Sequence, residues 1–151
     1  DLGYRWYGNR ALMSLRLEKG WGAWGLEFRP DFNAVESGMD AFINWNKDFV
    51  GKEATQAFKD QGVERKLVTL TVDTPIDVTL DEAVFVDGEA VGYITSGSFA
   101  HHVEQSMAMA YVATPFADAG AKVTVEIMGE MHDAVIMGAP AYDPNGGRMR
   151  S

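Results

Sequence analysis

From Asn9 to Glu18 the apolar residues Ala11, Leu12 and Leu15, with Met13 and Leu17, recur at intervals of three and four. That spacing predicts a short helix with Asn9 as its N-cap and Gly20 as its stop. In "GWGAWG", residues 20–25, three glycines surround two indoles. This composition favours tight turns and places Trp21 and Trp24 on a loop. After "RPDFN", Met39, Ala41, Ile43 and Trp45 alternate with Asp40, Phe42 and Asn44, the period of a half-buried strand. A second helix is expected from Lys52 to Asp60, with Ala54, Ala57 and Phe58 on one stripe, Glu53 in its first turn, Lys59 in its last and Gly62 beyond.

A domain boundary falls at Gly62 to Arg65, where the period changes from about 3.6 to 2. "KLVTLTVD", "AVFV", "VGYITS", "SMAMAYV", "KVTVEIM" and "DAVIMG" then read as six short strands separated by turn signals. They predict a small antiparallel barrel or sandwich. Asp87-Gly88, between the second and third, is a hairpin signal because both turn positions take positive φ. The tail "YDPNGGRMRS" is polar, rich in Gly and Pro, and is expected on the surface.

With 151 residues, 46% of them hydrophobic, the chain buries a proper core as one domain or two small ones. A net charge of -9 and the lack of any Lys/Arg cluster argue against a nucleic-acid partner. No stretch approaches the roughly 20 apolar residues of a membrane span, and "DLGYRWYGNRA" has no signal-peptide pattern. The absence of cysteine excludes disulfides, thiolate metal sites and a cysteine nucleophile; it fits a reducing compartment, and the cytoplasm is the expectation. The opening on Asp1, with a helix within ten residues, leads us to expect a piece of a longer protein.

Local chemistry is sparse. His101 and Glu104 have a spacing that serves a metal on a helix, but the pattern there reads as a turn into a strand, where His101 and His102 point to opposite faces. His132 stands apart, so no metal site is assigned. "TSGSF", residues 95–99, lacks the flanks of a nucleophile elbow. Glu18, Glu27, Asp31 and Glu36 lie on or near the tryptophan loop, where burial makes an acid or base of one of them or solvent and capping claim them all. Arg16 and Glu18, two apart on the helix, do not face each other, and each needs its own partner. Met107 and Met109 share one strand face as core filling. Core packing is the preferred reading of Trp21 and Trp24, with a platform for a planar heterocycle as the alternative.

The succession "SLRLEKG", "WG", "AVESGM", "DFVGKEA", "GYITSG", "MAMAYV" and "YDPNGGRMR" resembles the C-terminal portion of the aminomethyltransferase, or glycine cleavage T-protein, family. "AWGLEFRPD" and the closing "YDP" look more like the folate-binding half of dimethylglycine and sarcosine dehydrogenases. The resemblance implies an α+β chain in which residues 1–63 end a central α/β domain, 64–140 form a small C-terminal antiparallel β-barrel and 141–151 form a surface tail. It further implies an upstream part holding the catalytic carboxylate and, in the dehydrogenase branch, a FAD domain. Tetrahydrofolate would lie between domains and take up a one-carbon unit from an N-methyl amine, and the chain here would supply one wall and no catalytic residue. A free-standing aminomethyltransferase or demethylase and a non-catalytic regulatory relative are the alternatives.

Within that resemblance Leu12 replaces an arginine of "ARDSLRLE" that contacts folate in T-proteins, a loss shared with the dehydrogenase branch. Ala41 stands where the family places a tyrosine or tryptophan against the coenzyme; Phe42, one residue on, points to the other face if the segment is a strand. Trp24 stands where T-proteins often have tyrosine before a glycine. It is expected mainly to pack the helix against the central domain while touching the pocket edge, and Trp21 is expected to be structural. Ala41 and Trp24 are thus the coenzyme-binding candidates.

Overall fold

The computed structural model describes residues 3–148 and 150. Asp1, on which the expectation of a longer parent rests, and Met149 and Ser151 of the expected surface tail lie outside the described residues. The elements are α1 (Asn9–Glu18), a 3-10 turn at Asp40–Phe42, α2 (Lys52–Gln61), β1 (Arg65–Val72), β2 (Ala83–Val86), β3 (Glu89–Ala100), β4 (Gln105–Ala113), a 3-10 turn at Thr114–Phe116, β5 (Lys122–Ile127) and β6 (Glu130–Ile136).

All six strands read from the alternation are present and antiparallel. They close into a barrel in the order β1-β4-β3-β2-β5-β6, with β6 pairing back onto β1. Closure gives every strand a neighbour on both sides. Side chains at every second position fill the interior: Val68, Leu70 and Val72 of β1, Ile94 of β3, Ala108, Ala110 and Val112 of β4, and Val123, Val125 and Ile127 of β5. On β4 the small alanines face inward, while Met107 and Met109 face outward into a second cluster with Leu17 of α1 and Ala100. Both methionines are buried core filling, as their shared face predicts. Burying each contributes roughly 1.5–3 kcal/mol.

Asp87 and Gly88 take φ values of 50° and 83°, the left-handed pair that a two-residue hairpin between β2 and β3 requires. Met128, expected to end a strand, instead sits at φ 52° beside Gly129 and turns the chain from β5 into β6.

Two local expectations are corrected. Gly8, not Asn9, is the N-cap of α1; Asn9 is already helical, and no side chain caps this end. The C-terminal end follows expectation: Gly20 takes φ 64°, its N–H donates to Leu17 O at 2.9 Å, and Trp21 N–H donates to Arg16 O at 2.9 Å. This pairing satisfies carbonyls the helix leaves open. Residues 39–45 do not form a strand: Phe42 N–H donates to Met39 O and Ile43 N–H to Asp40 O, which makes a single 3-10 turn. A barrel closed on itself offers this alternating segment no ladder, so its backbone groups bond locally. The argument that Ala41 and Phe42 point to opposite strand faces falls with the strand.

Candidate functional site

The outer face of β3 and β4 carries α1 and the turn that follows it. A bulge makes the docking possible: on β3, Ile94 opposes Ala110 and Ser96 opposes Met109, leaving Thr95 as the extra residue. On a regular strand Thr95 and Ser96 would project to opposite faces; a bulge re-aims one of them. Both hydroxyls donate to the same oxygen, Oε1 of Glu27, at 2.6 Å. Glu27 Oε2 accepts from Arg16 Nη1 at 2.9 Å and from the Ala23 backbone N–H at 2.8 Å. A carboxylate offers about four lone-pair sites, and all are engaged here. Glu27 is completely buried.

Arg16 is buried beside it. Burial lowers its pKa, opposed by the charge and hydrogen bond of Glu27, and an arginine remains protonated under such a shift. Its Nη1 also donates to Trp21 O at 3.2 Å, while Nε and Nη2 find no hydrogen-bond partner. Glu18 faces elsewhere, accepting from His102 N–H at 2.8 Å. Ser14 accepts from His101 N–H at 3.2 Å and donates to Phe99 O at 3.0 Å. Each charged residue of the "RLE" run therefore has its own partner, as the helical spacing requires. Among the four carboxylates, Glu18 and Glu27 are buried, Glu36 is held by Asn33 and Arg65, and Asp31 pairs at the surface with Arg29.

The tryptophans do not pack into a core of this chain. Trp24 is 89% exposed, and its ring meets that of Phe28 edge-on, with centroids 6.1 Å apart. The inward position of the turn belongs to Glu27, and Gly22 lies so close under Phe28 that an added Cβ would sit 2.6 Å from its ring. Trp21, half exposed, meets the exposed Phe42 edge-on at 5.8 Å. That contact sets the 3-10 turn bearing Ala41 against Trp21, at the start of the loop that holds Trp24; Ala41 itself is exposed. Leu12 and Leu15 also face outward, whereas Leu17 is buried against the barrel and Met13 is half-buried beside β3.

Tyr111 completes the arrangement from β4. Its ring stacks on Phe32 at 3.6 Å, its hydroxyl donates to Glu27 O at 3.0 Å, and the Ser37 hydroxyl lies 2.9 Å away. Burial, partly opposed by the Ser37 hydrogen bond, pushes its pKa up to about 12. His101 and His102 stand on the β3–β4 turn, edge-on to Phe99 and Tyr142 respectively, and His132 lies near Asp73 O. Among the described residues no three His, Cys, Asp or Glu side chains form a group able to hold a metal ion. No helix among them is long and apolar enough to cross a membrane. Sequence reasoning missed the Glu27 cluster because two of its four donors come from a bulge 68 and 69 residues away.

Residues 65–143 match the family model "Glycine cleavage T-protein C-terminal barrel domain". The chain is 40% identical over 137 residues to mitochondrial dimethylglycine dehydrogenase of Homo sapiens, covering 89% of this chain and 16% of that protein. It is 37% identical over 144 residues to an aminomethyltransferase of Picosynechococcus, covering 94% of this chain and 40% of that protein. The crystal structure of glycine cleavage system aminomethyltransferase T from Bartonella henselae superposes with a TM-score of 0.87 at 26% identity, over 93% of this chain and 40% of that one. The chain thus spans well under half the length of these relatives. With its closed six-stranded barrel and the helix and turn clasped to it, the chain belongs to the glycine cleavage T-protein family and carries that family's C-terminal barrel domain.

Proposed function

We propose that the chain is the C-terminal part of a tetrahydrofolate-dependent one-carbon transfer module in a flavin-linked dimethylglycine or sarcosine dehydrogenase. In this reading residues 1–63 close a central domain, 64–140 are the barrel and 141–151 a surface tail. The observation that supports the folate reading is the Trp21–Phe42 contact, which brings the Ala41 turn to the loop that bears Trp24, with both candidate side chains exposed. An exposed indole beside a short side chain fits one wall for a flat ring system. Tetrahydrofolate, when bound, accepts the carbon released from an N-methyl amine; Trp24 and Ala41 orient it and shield one side. FAD belongs to the upstream part. The small-molecule amine, the absence of nucleic-acid and membrane partners, and a cytoplasmic location complete the reading.

The similarity to human dimethylglycine dehydrogenase supports the flavin-linked parent. The match to an aminomethyltransferase over more of the chain supports a second reading, a free-standing transferase or demethylase without flavin. Ala41 is the residue that favours a non-catalytic regulatory relative. The full-length protein separates them. A flavin-linked enzyme purifies yellow, oxidises dimethylglycine or sarcosine and binds tetrahydrofolate; a transferase is colourless and binds folate; a regulatory relative does neither. In the full-length protein, Ala41→Tyr is expected to tighten tetrahydrofolate binding by up to about tenfold, the scale of one aromatic contact. Unchanged affinity would place Ala41 away from the coenzyme.

A further inference from the structure

Glu27 links two segments that lie apart in the sequence. Its side chain binds the backbone of the Trp24 turn through Ala23 N–H at 2.8 Å and, through Arg16, the helix before it. Its main-chain oxygen accepts from the Tyr111 hydroxyl at 3.0 Å, and that hydroxyl meets Ser37 Oγ at 2.9 Å. With the Ser37 hydroxyl donating to Tyr111, the Ser37 backbone N–H donates to Asn33 O at 3.1 Å, and Met39 N–H donates to Ala34 O at 2.8 Å. The 3-10 turn bearing Ala41 begins directly after Met39. Glu27 therefore anchors the Trp24 turn by its side chain, and the Tyr111 hydroxyl joins the Glu27 main chain to Ser37, in the segment that leads into the Ala41 turn.

Neither turn has much else to hold it. Trp24 and Phe42 are exposed, and Gly20, Gly22 and Gly25 flank the Trp24 turn, so their placement depends on polar tethers to the barrel. The barrel end of the tether is rigid, because Thr95, Ser96 and Tyr111 lie within paired strands. We propose that Glu27 and Tyr111 together are the positioning residues of the coenzyme wall: the Glu27 carboxylate holds the Trp24 turn, and the Tyr111 hydroxyl ties Glu27 O to the segment that bears Ala41. The coenzyme part of this inference rests on the folate reading above; the coupling of the two turns does not.

The test is amide hydrogen exchange, together with tetrahydrofolate titration, on the full-length protein and its Glu27→Gln and Tyr111→Phe variants. Glutamine keeps the shape and removes the charge facing Arg16; phenylalanine keeps the stack on Phe32 and removes the hydroxyl tether. Glu27→Gln is expected to speed exchange tenfold or more in 21–28, with the barrel strands unchanged, and to weaken tetrahydrofolate about tenfold. Tyr111→Phe removes the hydroxyl that bonds both segments and is expected to speed exchange in 21–28 and 37–43 together. Faster exchange confined to one of the two segments in Tyr111→Phe, or spread evenly over β1–β6, overturns the coupling. Should Glu27→Gln fail to fold, Tyr111→Phe decides, and unchanged exchange in 37–43 rejects the tether. A wild-type protein that binds no tetrahydrofolate removes the folate reading while the exchange pattern still decides the anchor.

Discussion

Tyr111 shows how one buried group makes stability depend on pH. Its folded pKa of about 12 lies above the ordinary phenol value, chiefly through burial. A raised folded pKa stabilises fully below the unfolded value near 10, and the contribution is lost as pH rises toward 12. Urea unfolding of wild type and Tyr111→Phe is therefore expected to show the wild type losing its advantage, on the order of 2 kcal/mol, between pH 10 and 12. Equal pH slopes for the two proteins would mean that the hydroxyl titrates alike in both states. At this scale the sequence is least legible. Glu18, Glu27, Asp31 and Glu36 look alike in a one-dimensional reading, yet Glu27 alone receives both hydroxyls of the Thr95 bulge. A register shift between β3 and β4 decides this, and alternation cannot show it.

The elements were far more legible. Every strand of the barrel follows from alternation, because each has one face in a common interior. The segment 39–45 carries the same alternation without a partner strand and forms a turn instead. Helix α1 shows a different limit. Its period of three and four is real, but periodicity does not say which stripe meets the barrel: Ser14, Leu17 and Glu18 are buried, while Leu12 and Leu15 face out. Leu17→Ala is accordingly expected to destabilise this chain by about 2–5 kcal/mol. Leu15→Ala should stay within about 0.5 kcal/mol of wild type. Chemical denaturation of the 151-residue chain separates them; equal losses would mean that the helix docks on its other face.

At the scale of the whole molecule, the tail closes back on the helix. Lys19 Nζ pairs with the Asp143 carboxylate at 3.3 Å, and Tyr142 N–H donates to Glu18 O at 2.9 Å. Desolvation raises the pKa of Asp143, but Lys19 and the Arg148 and Gly147 N–H groups outweigh it, and the net shift is downward. A depressed carboxylate stabilises above its unfolded value near 3.9 and loses that contribution as pH falls through the folded one. Amide exchange over 141–148 should therefore accelerate below about pH 4 in wild type, and already at neutral pH in Asp143→Asn. A tail that exchanges alike in both would show that this pair does not hold it.

The clasp between α1 and the barrel also orders events during synthesis. Ser14 and Glu18 bond to backbone groups 85 and 84 residues further on. A ribosome adding roughly 5–20 residues per second needs about 4–17 s to make that stretch. Until the β3–β4 hairpin has emerged, the barrel groups that bind this helix do not exist. The nascent chain presents Leu17 and the future anchor Glu27 to solvent with their barrel partners still unsynthesised, and this is the interval in which a chaperone has most to bind.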